Sequence, residues 1–475
     1  MTTIKALEFF SGIGGLHFGF NASGADGEVI ESFDMNQQAN DTYKKSFGKT
    51  PVSRGIDRLM VKDIEKYNAN CWLMSPPCQP YTRGGKLLDD QDNRAKPLLH
   101  LLDQLEKMTT PPTYLFLENV KNFEISRSRE RLVTLLNKMG YVFRECLLAP
   151  HNFGVPNDRL RYFLMARLRS SFGESKSPSA VQTTNDTVDV FDPEKEIIYT
   201  VWPFPAFVED PKTPTTQHNF KLPELQRFLD SDVTQAKDYL LSRQLIIERP
   251  NFRFDILRPS SNRSSCFTKA YGSHHVAGGG GLLQTQKMDQ EVYDFSNSES
   301  IADLGLRFFS PTEVARLHVF PLNEKRDDDS ISETGDVSDE KSITDSSSQS
   351  LTSVRPFNPR LSQYPSGPFL QFPEKLKAIQ RYKLLGNSLN VWVVAELLRG
   401  ILFADHPGNP QPVYSVVGSN DGEKTTGDSN YVKQTPTTKH DIEENDGPTS
   451  HGDNASDNDE SIGEATRDVK RIKAE

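Results

Sequence analysis

Leu73-Met74-Ser75-Pro76-Pro77-Cys78-Gln79-Pro80 is the stretch on which the reading of this chain turns. Trp72 to Met74 reads as the end of a buried strand, and the paired prolines after it hold the backbone extended. Cys78 therefore sits on a stiff mount at a strand exit. Most free cysteines are small core hydrophobes. Here, however, Tyr81-Thr82-Arg83-Gly84-Gly85-Lys86 continues as a basic, glycine-bearing loop, and a thiol on such a loop is a nucleophile candidate. Arg83 and Lys86 are expected to favour its thiolate.

Upstream, Lys5 to Phe10 forms a short apolar strand that runs into Ser11-Gly12-Ile13-Gly14-Gly15-Leu16 and then an apolar helical pattern. Strand, glycine turn and helix open a nucleotide-type α/β fold, in which the glycines let backbone approach a ligand and the helix start offers free N–H groups. His17 stands where a dinucleotide fingerprint needs a third glycine, so NAD is disfavoured. A second strand, Val29 to Phe33, ends at Asp34, about 20 residues beyond the glycines, the spacing of a carboxylate that binds ribose hydroxyls. A further strand end is expected at Gly55-Ile56-Asp57, with Asp57 able to accept from an adenine amine.

Downstream, Leu98, Leu99, Leu101, Leu102, Leu105 and Met108 recur at helical spacing until Pro111-Pro112 stops them. The apolar strand Tyr114 to Leu117 then delivers Glu118-Asn119-Val120. A carboxylate at a buried strand exit is poorly solvated, which raises its pKa and suits it to proton donation. After a helix over Ser128 to Met139 and a strand over Tyr141 to Leu148, a strand is expected from Arg159 to Ala166. Arg159 and Arg161 share one of its faces, a clamp for an anion or a base edge. Strands alternating with helices imply an α/β fold with a mainly parallel sheet and a site at the strand carboxyl ends.

The organisation follows from composition. Residues 1 to 170 read as the first part of a catalytic domain, 171 to 196 as a disordered loop, and 197 to 305 as a second, less regular region. Residues 306 to 323 and 366 to 406 return to the first domain. Ser310-Pro311-Thr312-Glu313 opens one helix with a capping box, and Gly386-Asn387-Ser388 precedes an apolar helix over Val391 to Phe403. Residues 324 to 365 and 407 to 475 read as disordered acidic insert and tail.

The formal charge is −10, but residues 407 to 475 hold 14 acidic against 7 basic side chains, 324 to 345 hold 9 against 3, and 174 to 196 hold 6 against 2. The remainder is mildly basic, compatible with a polyanionic partner. Cys71, Cys78, Cys146 and Cys266 have neither disulfide-framework nor zinc spacing, and no metal is expected. With no secretory leader and no apolar run near the roughly 18 residues that span a membrane, an intracellular monomer in cytoplasm and nucleus is expected. Lys470-Arg471-Ile472-Lys473 is a weak nuclear-targeting hint.

Six separated elements occur in the order found in the S-adenosylmethionine-dependent cytosine-5 methyltransferases. They are Phe10 to Gly15, Ser75 to Pro80, Glu118-Asn119-Val120, Arg159-Leu160-Arg161, Ser310 to Glu313, and Gly386-Asn387-Ser388. The chain resembles that family, and Cys266-Phe267-Thr268-Lys269 is similar to the signature of its tRNA-aspartate branch. The resemblance implies a Rossmann-like methyltransferase fold with S-adenosyl-L-methionine held by Phe10, Ser11, Gly12, Ile13, Gly14, Gly15, Asp34, Met35, Ile56, Asp57, Pro77, Asn387, Ser388 and Val391. It implies that Cys78 adds to cytosine C6, that Glu118 serves the amine and N3, and that Arg161 with Arg159 fixes O2 and phosphate. Gln79, Arg83, Lys86, Asn119, Cys266, Thr268 and Lys269 are the implied substrate contacts, and the implied substrate is cytosine 38 in the anticodon loop of tRNA-Asp. The same catalytic set would serve DNA, and a silent tRNA- or cofactor-binding homologue is the third reading.

Overall fold

The structure, a computed structural model, describes residues 3–82, 88–171, 198–200, 202, 222–230, 235–273, 279–324 and 367–404. Arg83, Lys86, the loop at 172–196, nearly all of the acidic insert and the acidic tail lie outside the described residues, as do His274, His275 and the terminal basic run.

A seven-stranded sheet carries the molecule: β1 (Ile4–Phe9), β2 (Gly27–Phe33), β3 (Cys71–Met74), β4 (Tyr114–Val120), β5 (Tyr141–Leu148), β6 (Arg161–Leu168) and β7 (Ile198–Tyr199), in the order β2-β1-β3-β4-β6-β5-β7. β2, β1, β3 and β4 run parallel, as do β5 and β7, while β6 lies antiparallel between β4 and β5. The alternation of side chains explains why the strands are apolar throughout. Cys71, Leu73, Tyr114, Phe116, Phe163 and Met165 face one core, and Trp72, Met74, Leu115, Leu117, Tyr162 and Leu164 face the other. A sheet covered on both faces needs such residues at every position.

The first face is covered by α1 (Gly15–Ser23) and by α10 (Val391–Leu397), which ends in a π turn over Leu398–Leu402. The helix expected over Val391 to Phe403 is thus two pieces. The second face is covered by α4 (Lys96–Lys107) and α5 (Arg127–Lys138), with Leu98, Leu101, Leu105, Leu132 and Leu136 buried against the strands. Each buried leucine contributes about 1.5–3 kcal/mol of transfer free energy.

Three expectations are corrected. β4 continues through Val120, so Glu118 lies within a strand rather than after it. No strand ends at Gly55: Val52 makes a single bridge to Phe33, and Ile56–Arg58 is a 3-10 turn. β6 begins at Arg161, so Arg159 precedes the strand, although both guanidinium groups reach Cys266 Sγ.

The second region has a small core of its own, Ile246, Phe254, Leu282, Ile301, Leu304 and Leu306, beside the two-stranded pair β8 (Ile256–Leu257) and β9 (Leu282–Leu283). A larger cluster joins Phe267, Tyr271 and Leu283 to α8 (Pro311–Leu317), α9 (Ala378–Asn387) and the Ile13 and Phe18 side chains. The capping box that opens α8 is formed: Ser310 Oγ accepts from Glu313 N–H at 3.1 Å, and Glu313 Oε2 accepts from Ser310 N–H at 2.7 Å.

Candidate active site

Four parallel strands deliver Ser11, Asp34, Ser75 and Glu118 to one edge of the sheet. Because β6 is antiparallel, its start rather than its end reaches that edge, and Arg161 pairs with Val120 across the ladder. A fifth functional side chain thus enters from the opposite chain direction.

The Cys78 loop is fastened on both sides. Ser75 Oγ donates to Phe10 O at 3.0 Å, Asn119 Nδ2 donates to Pro76 O at 3.2 Å, and Tyr81 N–H donates to Cys78 O at 3.0 Å. Asn119 therefore uses its amide to hold the loop. Burial pushes the Cys78 thiol above its ordinary value, while Arg161, Arg159 and Lys269 pull it down and Glu118 pushes it up. Among the described residues desolvation outweighs the cations around the thiol, while Arg83 and Lys86, expected to favour a thiolate, lie outside the described residues.

Glu118 is buried, and its carboxyl titrates above the ordinary carboxylate range because burial outweighs Arg161 and Arg159. Its Oε1 lies 3.4 Å from Arg161 Nε. A carboxyl that keeps its proton toward neutral pH can donate to a ring nitrogen. Arg161 also reaches Cys266 Sγ at 3.8 Å.

Arg159 is buried and differently employed. Its Nη1 donates to Phe267 O at 3.0 Å, and its Nη2 donates to Gly386 O at 3.1 Å and to Ser388 O. This one side chain ties the second region to the returning segment beside the catalytic loop. Burial opposes ionisation of Cys266 as well, yet Arg159 and Arg161 outweigh it and hold that thiol below its ordinary value. Thr268 is half-buried and Lys269 exposed on the same segment, while Gln79 is half-buried on the catalytic loop.

Beside this cluster lies a second set. Gly12 and Gly14 have φ of 54° and 86°, left-handed values that a side chain would strain. Gly12 N–H donates to Asp34 Oδ2 at 2.8 Å and Asn36 N–H donates to Asp34 Oδ1 at 2.7 Å. Each oxygen retains acceptor capacity for a ligand hydroxyl. Burial raises the Asp34 carboxyl despite those N–H groups.

Met35 is 69% exposed, an unusual value for a large apolar residue. A Cβ placed on Gly55 would lie 2.6 Å from Asp57 Oδ1 and 3.6 Å from Met35 Sδ, so Met35, Gly55 and Asp57 converge. Ile56 is buried beneath them and Asp57 is exposed. Across the cleft, Ser388 Oγ would be 2.9 Å from a Cβ on Gly15, while Pro77 is half-buried, Asn387 exposed and Val391 buried in α10. Ser11 Oγ is buried with no hydrogen-bond partner. An orphaned hydroxyl, an available carboxylate pair and an apolar Met35 surface fit a ligand that is polar at one end and carries a ribose and a flat base at the other.

Residues 4–402 match the C-5 cytosine-specific DNA methylase family. The chain belongs to that family. Among its relatives are a DNA (cytosine-5)-methyltransferase of Dictyostelium discoideum, 34% identical over 84% of this chain and 94% of the relative, and a tRNA (cytosine(38)-C(5))-methyltransferase of Mus musculus, 33% identical over 84% and 93%. A solved methyltransferase structure from Entamoeba histolytica superposes with a TM-score of 0.60 at 26% identity, covering 85% of this chain and 99% of that one. Family membership agrees with the fold described above.

Some parts of the site carry no sequence signal. Asn157 Nδ2 donates to Ser264 Oγ at 3.0 Å and to Ser265 O at 3.1 Å, which aligns Cys266 with the arginines. Asp89, with φ 53°, accepts from Arg127 N–H at 2.6 Å and from Ser128 Oγ at 2.9 Å, anchoring the far side of the catalytic loop to α5. Both partnerships join positions far apart in sequence, and no local pattern announces them.

Proposed function

We propose that this chain transfers a methyl group from S-adenosyl-L-methionine to C5 of a cytosine in tRNA, the base at position 38 being the target that its mouse relative's name states. The observation that supports it most is the meeting of Cys78, Glu118 and Arg161 at one sheet edge, in a chain of the C-5 cytosine methylase family. Several relatives named tRNA (cytosine(38)-C(5))-methyltransferase, each matching 84% of this chain, favour RNA over the DNA reading.

S-adenosyl-L-methionine would lie against Ser11, Asp34, Met35, Ile56, Asp57 and Ser388, and it supplies the electrophilic methyl group. Cytosine C5 is too weak a nucleophile unaided, and Cys78 overcomes this by losing its proton and adding to C6. Glu118 donates toward N3, drawing off the charge that addition places in the ring, and Arg161 holds Glu118 in position. Once C5 has taken the methyl group, loss of the C5 proton to a base lets C5 and C6 regain their double bond as Cys78 leaves.

Bisulfite sequencing of tRNA-Asp treated with wild type and with Cys78→Ala tests this reading. The expected outcome is one protected cytosine, at position 38, with wild type and none with the variant. Methylation of duplex DNA without any of tRNA would overturn it.

A further inference from the structure

Ile125 is 81% exposed, yet the segment that carries it is anchored at almost every other position. Asn122 is left-handed, with φ 83°; its N–H donates to Glu124 Oε2 at 2.6 Å and its Nδ2 donates to Tyr81 O at 3.2 Å. Tyr81 is the residue whose N–H closes the turn onto Cys78 O, so the segment is fastened directly to the catalytic loop. Phe123 is fully buried, edge-on to Tyr81 at 4.9 Å and packed on Tyr162 at 5.0 Å. Ser126 closes the far side, donating to Phe123 O at 2.7 Å and accepting from Arg129 N–H at 3.0 Å.

The result is a rigid knuckle, a few residues past Asn119 and fastened to the catalytic loop through Tyr81, whose apolar side chain is exposed to water. Lys121 and Arg127 are exposed on either side of it, and Arg127 is paired with Asp90 at 2.5 Å and with Asp89 at 3.8 Å. A single isoleucine between two cations is too small and too charged in its surroundings for a protein-docking patch. It does match what an extruded base leaves behind. Turning a nucleotide out of its stack costs the stacking on both neighbours, and a side chain that fills the gap recovers part of that cost. A β-branched side chain has little rotamer freedom to lose in doing so.

We propose that Ile125 is an RNA wedge: it enters the gap in the anticodon-loop stack when the target cytosine turns toward Cys78, and flanking Lys121 meets a phosphate beside it. The inference rests on the tRNA reading above. It concerns how the base is reached, not how it is methylated.

Single-turnover methylation tests it with wild type, Ile125→Ser and Ile125→Leu. The substrates are an intact tRNA-Asp transcript and two transcripts in which one or the other neighbour of the target cytosine is abasic. On the intact transcript Ile125→Ser is expected to be slower by roughly tenfold, the scale on which stacking against one base acts, while Ile125→Leu stays close to wild type. On at least one abasic transcript, where the stack is already broken, the Ile125→Ser deficit is expected to vanish. An undiminished Ile125→Ser rate on the intact transcript, or the same deficit on all three, would overturn the wedge. A wild type inactive on the intact transcript would remove the tRNA reading and the wedge together, whereas an active wild type with an unaffected Ile125→Ser would remove the wedge alone.

Discussion

At the scale of single residues, buried titratable groups beneath the site decide more than the exposed ones around it. Glu8 is fully buried under the glycine turn; its Oε1 accepts from His17 N–H at 3.1 Å and its Oε2 from Tyr43 OH at 3.1 Å. Burial pushes its carboxyl up to about 8, against the lowering effect of those bonds. The folded state therefore holds a proton on Glu8 that the unfolded chain releases near pH 4.5. The stability this contributes is complete below that pH and is lost as pH rises toward 8, a change of a few kcal/mol in all. His17, pushed by burial down to about 3, is neutral in the folded protein but binds a proton below about 6.5 once unfolded, so up to that pH it makes stability rise and opposes Glu8, and only above it is its contribution level. Thermal melts between pH 7 and 9, above the range in which the buried histidines contribute, should show the wild-type midpoint falling and the Glu8→Gln midpoint nearly level, with the variant the more stable at the alkaline end. Parallel curves for the two proteins would refute the assignment.

Among elements, the decisive feature is the close approach of α9 to the Cys266 segment. A Cβ on Gly386 would lie 2.2 Å from Thr268 C and 2.3 Å from Lys269 N, both backbone atoms that cannot move aside cheaply. Arg159 bonds to the same two segments, so glycine and arginine together set where the second region meets the first. Gly386→Ala should cost about 1–3 kcal/mol in urea denaturation, the range for overpacking a close approach, and should weaken methylation by displacing Arg159. Unchanged stability would mean that the segments separate freely. The antiparallel β6 is the other decision at this scale. Its sequence reads as one more strand of an alternating series, and only its pairing with β4 puts Arg161 beside Glu118.

For the whole molecule, the net charge of −10 conceals where the acids lie, since the acidic runs flank a mildly basic catalytic chain. Lys269 is exposed and acts on Cys78 through its charge, which places a solvent-facing cation near the catalytic thiol. For tRNA, the logarithm of the dissociation constant should rise linearly with the logarithm of salt concentration. Lys269→Glu should weaken binding and make that slope shallower by about 0.7 for each phosphate no longer neutralised, the value for single strands. Identical slopes would exclude Lys269 from the interface. Local signals in the chain determined the α/β alternation, the glycine turn, the capping box at Ser310 and the rigid mount of Cys78, because periodicity, proline geometry and helix capping act over a few residues. They also placed a raised carboxyl at Glu118, since an apolar strand predicts burial. Tertiary structure alone decided that burial raises the Cys78 thiol while the arginines lower that of Cys266, that Arg159 is bound to backbone carbonyls, and that Asn119 holds the loop. Those outcomes depend on desolvation and on partners distant in sequence, and both exist only once the chain has closed around them.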